Sequence, residues 1–99
     1  MNFEIAPKST EIQANWDDAR LYCFALNIDG KTGWRLPTKE ELNEIYESQN
    51  DFKKTWYWSS TVTKGNYAWF QLFGFGGQHT TKKSDGLKYV RAIRDLKDN

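Results

Sequence analysis

The chain has 99 residues, of which 38% are hydrophobic, 16% aromatic and 27% charged, and its formal net charge is +1. This length predicts a single domain over residues 1–99, and the apolar content is too high for a disordered tail. The balanced charge argues against general nucleic-acid binding, and no apolar run reaches the roughly 18 residues of a membrane span. We therefore expect a soluble globular protein that does not bind membranes.

The first half of the sequence predicts one short strand and two helices. Asn2 to Pro7 alternates apolar and polar residues, which is typical of an edge strand. Asn15 to Asn27 has apolar residues at three- and four-residue steps behind a capping Asn15, which predicts a helix. After a turn and an extended link, Thr38 and Glu41 form a capping box that predicts a second helix ending near Ser48.

The second half predicts strands and loops. Three segments are rich in aromatic and β-branched residues: Trp56 to Thr63, Tyr67 to Phe75 and Leu87 to Asp95. Lys64-Gly65-Asn66 is a predicted hairpin turn, and the glycine-rich segment Gly74 to Gly86 predicts a long surface loop. The fold class expected is α+β, with two helices packed on a small twisted antiparallel sheet.

Four segments, taken in order, form a pattern. They are Trp16 with Ala19 and Cys23, then Trp34-Arg35-Leu36-Pro37-Thr38, then Tyr57-Trp58-Ser59-Ser60-Thr61, and finally Tyr89-Val90-Arg91-Ala92-Ile93-Arg94. Together they resemble the Lcl C-terminal domain family of bacteria and phages. The resemblance implies a C-type-lectin-like fold, related in architecture to formylglycine-generating sulfatase-modifying enzymes and to variable phage receptor-binding proteins. Because one fold hosts many activities, it predicts the fold more strongly than the function.

The motif residues also have a structural interpretation of their own. We expect Trp34 and Leu36 to fill the core, and Pro37 to stop the strand before the second helix. Hydroxyl groups at Ser59 and Ser60, with Thr61 beside them, are suited to bind backbone groups where the sheet bends. The same scaffold role is predicted for the remaining motif residues, Arg35, Trp58, Arg91 and Arg94.

The two arginines of the last predicted strand need separate treatment. Arg91 and Arg94 lie on opposite faces of a strand with a two-residue period, so at most one points toward the core. A buried guanidinium requires a carboxylate partner. The candidates are Glu41 and Asp18.

Cys23 is the only cysteine, so no internal disulfide can form. Many members of the family that this chain resembles have a second cysteine at the position of Ala92, and the resemblance implies that it pairs with the equivalent of Cys23. A free thiol beside a small alanine suits a reducing compartment, which predicts the cytoplasm, or the host cytoplasm for a phage-encoded copy, with the virion surface as the alternative. The stripe that Cys23 shares with Trp16, Ala19 and Leu26 predicts a buried, inert thiol.

No catalysis, metal or other cofactor is expected. The formylglycine-generating relatives use a cysteine pair, and this chain has one cysteine. His79 is the only histidine, so a Cys-His or Ser-His pair would have to form across the fold. No Cys/His spacing of a metal site occurs, and the Glu-Pro-Asn loop and Trp-Asn-Asp strand of sugar-binding C-type lectins are both missing, which predicts a calcium-independent protein.

The candidate binding surface is an aromatic strand followed by the glycine-rich loop. One row of that strand contains Tyr67, Trp69, Gln71, Phe73 and Phe75, and the other contains Ala68, Phe70 and Leu72. We do not expect both rows to be buried in the core of so thin a domain. The first row is therefore predicted to be exposed or to form a second small cluster. The competing interpretation is that residues 76–86 fold over it. A polar, cationic rim is predicted at Gln78, His79, Lys82 and Lys83.

These features predict a non-enzymatic binding module that recognises a protein or cell-surface partner, such as a phage-encoded effector or inhibitor, or that forms a homo-oligomer. The alternative is a pocket that sequesters a small anionic ligand, such as a nucleotide signal, between stacking aromatics and Lys82, Lys83 and His79. A residual formylglycine-generating-like enzyme ranks third.

Overall fold

A computed structural model describes residues 2–96 of the protein. Its two α-helices are α1 (Trp16–Ala25) and α2 (Lys39–Ser48), and both begin where the caps predicted. Asn15 Oδ1 accepts a hydrogen bond from the Asp18 N–H at 2.9 Å. At α2, the Glu41 N–H donates to Thr38 Oγ1 at 3.1 Å while Glu41 Oε1 accepts from the Thr38 N–H at 2.8 Å, which confirms the capping box.

The described residues form eight strands in two sheets. The strands are β1 (Phe3–Ile5), β2 (Ile12–Ala14), β3 (Trp34–Arg35), β4 (Trp56–Thr63), β5 (Tyr67–Leu72), β6 (Gln78–Lys82), β7 (Lys88–Val90) and β8 (Ile93–Asp95). One sheet has the order β1-β8-β3 and the other β2-β7-β4-β5-β6. The α+β class is confirmed, but the prediction of one antiparallel sheet is wrong, because there are two sheets and β4 pairs with β7 in parallel.

The predicted strands hold for most of their length. β4 matches its prediction, and the turn at residues 64–66 joins it to β5. β5 is shorter than predicted because the chain turns at Phe73. The last predicted strand is interrupted at Arg91 and Ala92, so β7 joins the five-stranded sheet and β8 the three-stranded one.

The prediction of a long glycine-rich loop is wrong. Its middle is β6, which pairs with β5 from Gln78 to Lys82. The sequence Gln-His-Thr-Thr-Lys has no apolar residue, because β6 is an edge strand with little contact to the core. Gly76 provides the left-handed conformation, with φ +87°, that the turn between β5 and β6 requires.

The five-stranded sheet is covered on both faces. One buried cluster lies between this sheet and α1, and it includes Trp16, Cys23, Trp58, Phe70 and Ala92. The other lies beneath α2 on the opposite face and includes Leu42, Ile45, Tyr57, Phe73 and Ile93. The expectation that only one row of the aromatic strand could be core is therefore wrong, because α1 and α2 pack on different faces.

Neither helix of residues 2–96 is long and apolar enough to cross a membrane. Cys23 is a buried free thiol, and Ala92 lies in the same cluster, as expected from the pairing that the family resemblance implied. The apolar surroundings remove water from the sulfur and raise the pKa of the Cys23 thiol to about 12. The prediction of a buried cysteine is confirmed.

Candidate functional site

β5 and β6 contain most of the residues predicted to bind a partner, and their register decides which of them share a face. Three cross-strand pairs face α2: Tyr67 with Lys82, Trp69 with Thr80, and Gln71 with Gln78. The two intervening pairs, Ala68 with Thr81 and Phe70 with His79, face the side of α1. The predicted binding residues are therefore divided between two faces of the sheet.

Two of the predicted contact residues are buried. The Gln71 amide donates to Asn43 Oδ1 at 2.9 Å and to the Gly76 carbonyl at 3.0 Å, beneath α2. Phe73 packs against the rings of Phe52 and Tyr57, with centroids 5.0 and 4.8 Å away. This row was predicted to be exposed or to form a second small cluster, and the second alternative holds for Phe73, which lies in the buried cluster beneath α2. Gln71 is buried as well, between Asn43 of α2 and the Gly76 carbonyl.

Beyond α2, the same face of β5 and β6 remains open. Tyr67 is 41% exposed and Trp69 is half-buried, while their partners Lys82 and Thr80 are exposed. Lys39, the first residue of α2, places its Nζ 4.0 Å from the centroid of the Trp69 ring. We call these five residues, Tyr67, Trp69, Thr80, Lys82 and Lys39, the Trp69 surface. It combines exposed aromatic area with positive charge.

The backbone of Lys39 is fixed by two side chains, one on each of the strands that flank β5. Gln78 Nε2 donates to the Lys39 carbonyl at 2.6 Å, and Thr61 Oγ1 accepts from the Lys39 N–H at 2.9 Å. Ser59 Oγ donates to the carbonyl of Trp69 at 2.8 Å. The backbones that carry the cation and the ring below it are therefore held by β4 and β6, which limits the rearrangement that binding requires.

The other predicted binding residues lie elsewhere. His79 is exposed on the α1 side, with its ring 5.9 Å from that of Phe70. Lys83 places its Nζ 4.3 Å from the Trp16 ring centroid, at the start of α1. Phe75 is 91% exposed in the turn before β6. The structure does not bring His79, Lys82 and Lys83 together in the rim predicted from the sequence.

Comparison with known families identifies the chain. A family model described as the Lcl C-terminal domain matches residues 4–94, from β1 to β8. The chain belongs to the Lcl C-terminal domain family. This confirms the resemblance seen in the four sequence motifs. A comparison with curated proteins gives no match.

The motif residues of this Lcl C-terminal domain serve as scaffold. Trp34, Leu36 and Trp58 are buried in the cluster beneath α1. The Pro37 carbonyl accepts a hydrogen bond from the Ser60 N–H at 2.7 Å, which joins the second motif to the third. Ser59 and Thr61 bind backbone groups next to the irregularity in the pairing of β4 with β5, as their hydroxyls predicted.

The prediction that Glu41 or Asp18 pairs with an arginine of the last strand is wrong, because Glu11 and Glu4 occupy that role. Arg91 pairs with Glu11 at 2.9 Å, and Arg94 pairs with Glu4 at 2.6 Å. The prediction assumed one continuous strand, whereas the break at Arg91 lets this arginine turn into the core.

Glu41, one of the two predicted partners, binds Arg35 instead, with two oxygen-to-nitrogen distances of 2.7 and 2.8 Å. The Arg35 guanidinium lowers the pKa of the Glu41 carboxyl. Arg35 also binds Asp95 at 2.7 Å, so it joins α2 to β8. The predicted scaffold role of Arg35 fits these contacts.

Sequence analysis missed a lysine enclosed by aromatic rings. The Lys88 Nζ lies 5.1 Å from the ring centroid of Trp56, 4.7 Å from that of Trp58 and 4.9 Å from that of Phe70. It donates to the Asp85 carbonyl at 3.0 Å. Removal of water from the ammonium lowers the pKa of Lys88. The two-residue spacing of Trp56 and Trp58 was the available signal, but the lysine comes from another strand.

The residues predicted not to form a catalytic or metal site lie apart in the structure. Within residues 2–96, no group of three or more His, Cys, Asp or Glu side chains is placed to hold a metal ion, and no cavity is found. Cys23 lies in the core, whereas His79 is an exposed residue of the edge strand.

Proposed function

We propose that this Lcl C-terminal domain is a non-enzymatic, C-type-lectin-like binding module that recognises a protein partner through the Trp69 surface. The observation that supports the proposal is the Lys39 ammonium lying 4.0 Å from the half-buried Trp69 ring, beside the exposed Tyr67. Tyrosine and tryptophan dominate the energetics of protein interfaces because they bury a large area at a small entropic cost. The rigid support of Lys39 and Trp69 lowers that cost further.

The charge of the surface adds specificity. Lys39 and Lys82 flank the two aromatic residues, so the partner that fits is one with acidic groups around an apolar contact. Exposed charges of this kind speed association and are sensitive to salt, whereas the aromatic contact is not. A partner held mainly by Trp69 should remain bound at moderate salt.

The test is affinity capture from the natural host, with the immobilised protein compared with Trp69→Ala and Tyr67→Ala variants and the captured proteins quantified by mass spectrometry. We expect one protein to be retained by the native chain and reduced by about tenfold or more in both variants, as for central aromatic contacts. Phe24→Ala is the matched control, because Phe24 is an exposed aromatic residue on α1, away from the Trp69 surface.

Thermal unfolding of each variant separates lost binding from lost fold. A partner that stays bound to folded Trp69→Ala and Tyr67→Ala, or that is lost only from Phe24→Ala, would place the interface elsewhere. A co-purifying small molecule in place of a protein would overturn the proposed class of partner.

A further inference from the structure

The two edges of the five-stranded sheet differ in their capacity to pair with another strand. One edge is β2, which has three residues and leads through Asn15 into α1. The other edge is β6, which has five residues, Gln78–Lys82, and pairs only with β5 among the described strands. An edge strand exposes backbone donors and acceptors that a partner strand can use.

The register identifies which backbone groups of β6 face outward. The Leu72 N–H donates to the Gly77 carbonyl at 2.8 Å, and the Lys83 N–H donates to the Asn66 carbonyl at 2.6 Å. Because hydrogen-bonded and non-bonded pairs alternate in an antiparallel ladder, His79 and Thr81 direct their backbone groups toward β5. The backbone groups of Gln78, Thr80 and Lys82 therefore point away from the sheet.

Most of these outward groups have no backbone partner in the part of the chain that is described. The Lys82 carbonyl accepts from the Asp85 N–H at 2.9 Å, which ends the open edge. The groups that remain without a backbone partner are the N–H and C=O of Gln78 and Thr80 and the N–H of Lys82. They are spaced as the groups of one short antiparallel or parallel partner strand require.

The side chains beside this edge indicate what kind of strand would fit. Thr80 is the only residue of β6 between Trp69 and the open edge, and it is small. A side chain of an added strand can therefore lean over Thr80 onto the Trp69 ring. Lys82 lies next to Thr80 on the same face, and Lys39 lies over Trp69, so the positions around this contact favour carboxylates.

We propose that β6 accepts an extended acidic segment of a partner protein as a sixth strand of the sheet. This deepens the proposed function and rests on it, because the added strand lies along the Trp69 surface. Backbone hydrogen bonds to Gln78, Thr80 and Lys82 hold the segment, and contacts with Trp69, Lys39 and Lys82 select its side chains.

A second copy of the chain fits this edge poorly. Antiparallel pairing of two β6 strands about Thr80 would place Lys82 of one copy opposite Gln78 of the other. Gln78 binds the backbone of Lys39, so Lys82 of one copy would lie close to Lys39 of the other copy, on the same face of the sheet, at each end of the junction. The like charges of these two lysines would repel each other. The positive charge of this surface therefore favours an acidic segment over self-association.

The first experiment selects binders from a library of random linear ten-residue peptides against the immobilised full chain. We expect enriched peptides to contain aspartate or glutamate together with an apolar residue and to lack proline in the central positions. A synthetic copy of the most enriched peptide is then the probe for calorimetry. Failure to enrich any peptide would overturn the proposal, as would enrichment without acidic residues.

Substitutions at the centre of β6 test whether the peptide binds the edge. Thr80→Pro removes an outward N–H and leaves the pairing of His79 and Thr81 with β5, and Thr80→Val is the matched control with an intact backbone. We expect binding to weaken by about tenfold or more with proline and to stay within about twofold with valine. Lys82→Glu should weaken binding, whereas Lys8→Glu, at an exposed lysine outside the sheet, should not.

Amide hydrogen exchange of the native chain supplies a readout that does not depend on a variant's folding. The peptide should slow exchange at Gln78, Thr80 and Lys82, whereas His79 and Thr81 are already paired with β5. Equal binding to folded Thr80→Pro, with no slowing at these three amides, would overturn strand addition. So would a dimer in sedimentation that dissociates when Thr80→Pro is introduced.

The same peptide distinguishes failure of this inference from failure of the proposed function. Binding that is lost in Thr80→Pro but unchanged in Trp69→Ala and Tyr67→Ala would retain strand addition and reject the Trp69 surface. Binding that is lost in Trp69→Ala and Tyr67→Ala but unchanged in Thr80→Pro would retain the Trp69 surface and reject strand addition.

Discussion

Arg91 and Glu11 form an ion pair in the protein interior, with Nε and Oε2 2.9 Å apart and side chains only 2% and 3% exposed. The remaining donors of Arg91 bind the Ala6 carbonyl at 3.0 Å and the Asp51 carbonyl at 2.9 Å. The Tyr57 hydroxyl donates to the same Glu11 oxygen at 2.8 Å. The pair thus joins the start of the chain to β4 and to the residue that follows β7.

Removal of one member of this pair should destabilise the protein strongly. We expect Glu11→Ala to lower the free energy of unfolding by about 3–5 kcal/mol, because it leaves the buried Arg91 guanidinium with only the exposed Asp51 carboxylate, 3.4 Å away, as counter-charge. Urea unfolding followed by tryptophan fluorescence measures the change. The control is Lys31→Ala at the exposed Lys31 and Glu4 contact of 3.4 Å, where we expect less than about 1 kcal/mol. A small loss for Glu11→Ala would mean that water or another carboxylate replaces it.

The turn before β6 lies close to α2 at Gly76, and a substitution there measures how much this contact matters. A Cβ at this position would lie 2.6 Å from Tyr46 Cε2, and its φ of +87° also disfavours a side chain. Gly76→Ala should therefore cost more than the roughly 1–2 kcal/mol of the left-handed backbone alone. Gly86→Ala is the matched control, since its φ is +75° and nothing lies within 4 Å. Equal losses of stability, measured by thermal unfolding, would show that Tyr46 moves aside without cost.

Local patterns predicted the helices and most strands because their signals lie within a few residues. Asn15 and the Thr38 to Glu41 box bind groups three residues away, so the sequence reveals them directly. The partner of Arg91 is 80 residues away in sequence, and no local period indicates it. β6 has polar residues because it is an edge, and this removes the apolar alternation by which a strand is recognised.

The candidate site was predicted in part for the same reason. The two-residue period placed Tyr67, Trp69 and Gln71 correctly on one face of β5, where Tyr67 is exposed and Trp69 is half-buried. Which of them α2 covers depends on tertiary packing, through contacts such as that of Gln71 with Asn43. Lys39 was missed because it reaches Trp69 from α2, which is separated from β5 in the sequence by the whole of β4, so no local pattern joins the two residues.

The thiol of Cys23 should be unreactive in the folded protein. Burial raises its pKa to about 12, so the reactive thiolate is scarce at pH 8 and the sulfur is also shielded from reagents. We expect alkylation by iodoacetamide to require unfolding and to accelerate in urea in proportion to the unfolded fraction. A Cys23→Ala, Ala25→Cys double variant is the control, because residue 25 is exposed on the same helix and should react at the rate of a free thiol. Rapid native labelling of Cys23 would indicate local opening of α1.

The Arg35 and Glu41 pair should make stability depend on pH in the acid range. Arg35 lowers the folded-state pKa of Glu41 below its ordinary value of 4.5, so the unfolded state takes up a proton first as the pH falls. The stabilisation is therefore complete above about pH 5 and is lost as the pH falls through the folded-state pKa of Glu41.

Glu41→Gln removes this titration while keeping an oxygen for Arg35 and for the helix cap. We expect it to cost about 1–2 kcal/mol at pH 7 in urea unfolding and less at pH 3, where the unfolded-state carboxyl is already protonated. Glu40→Gln, at an exposed residue in the same turn of α2, is the control and should leave the pH dependence unchanged. A difference between the native chain and Glu41→Gln that is the same at both pH values would show that the ion pair does not contribute, and that the glutamine disturbs packing or the cap instead.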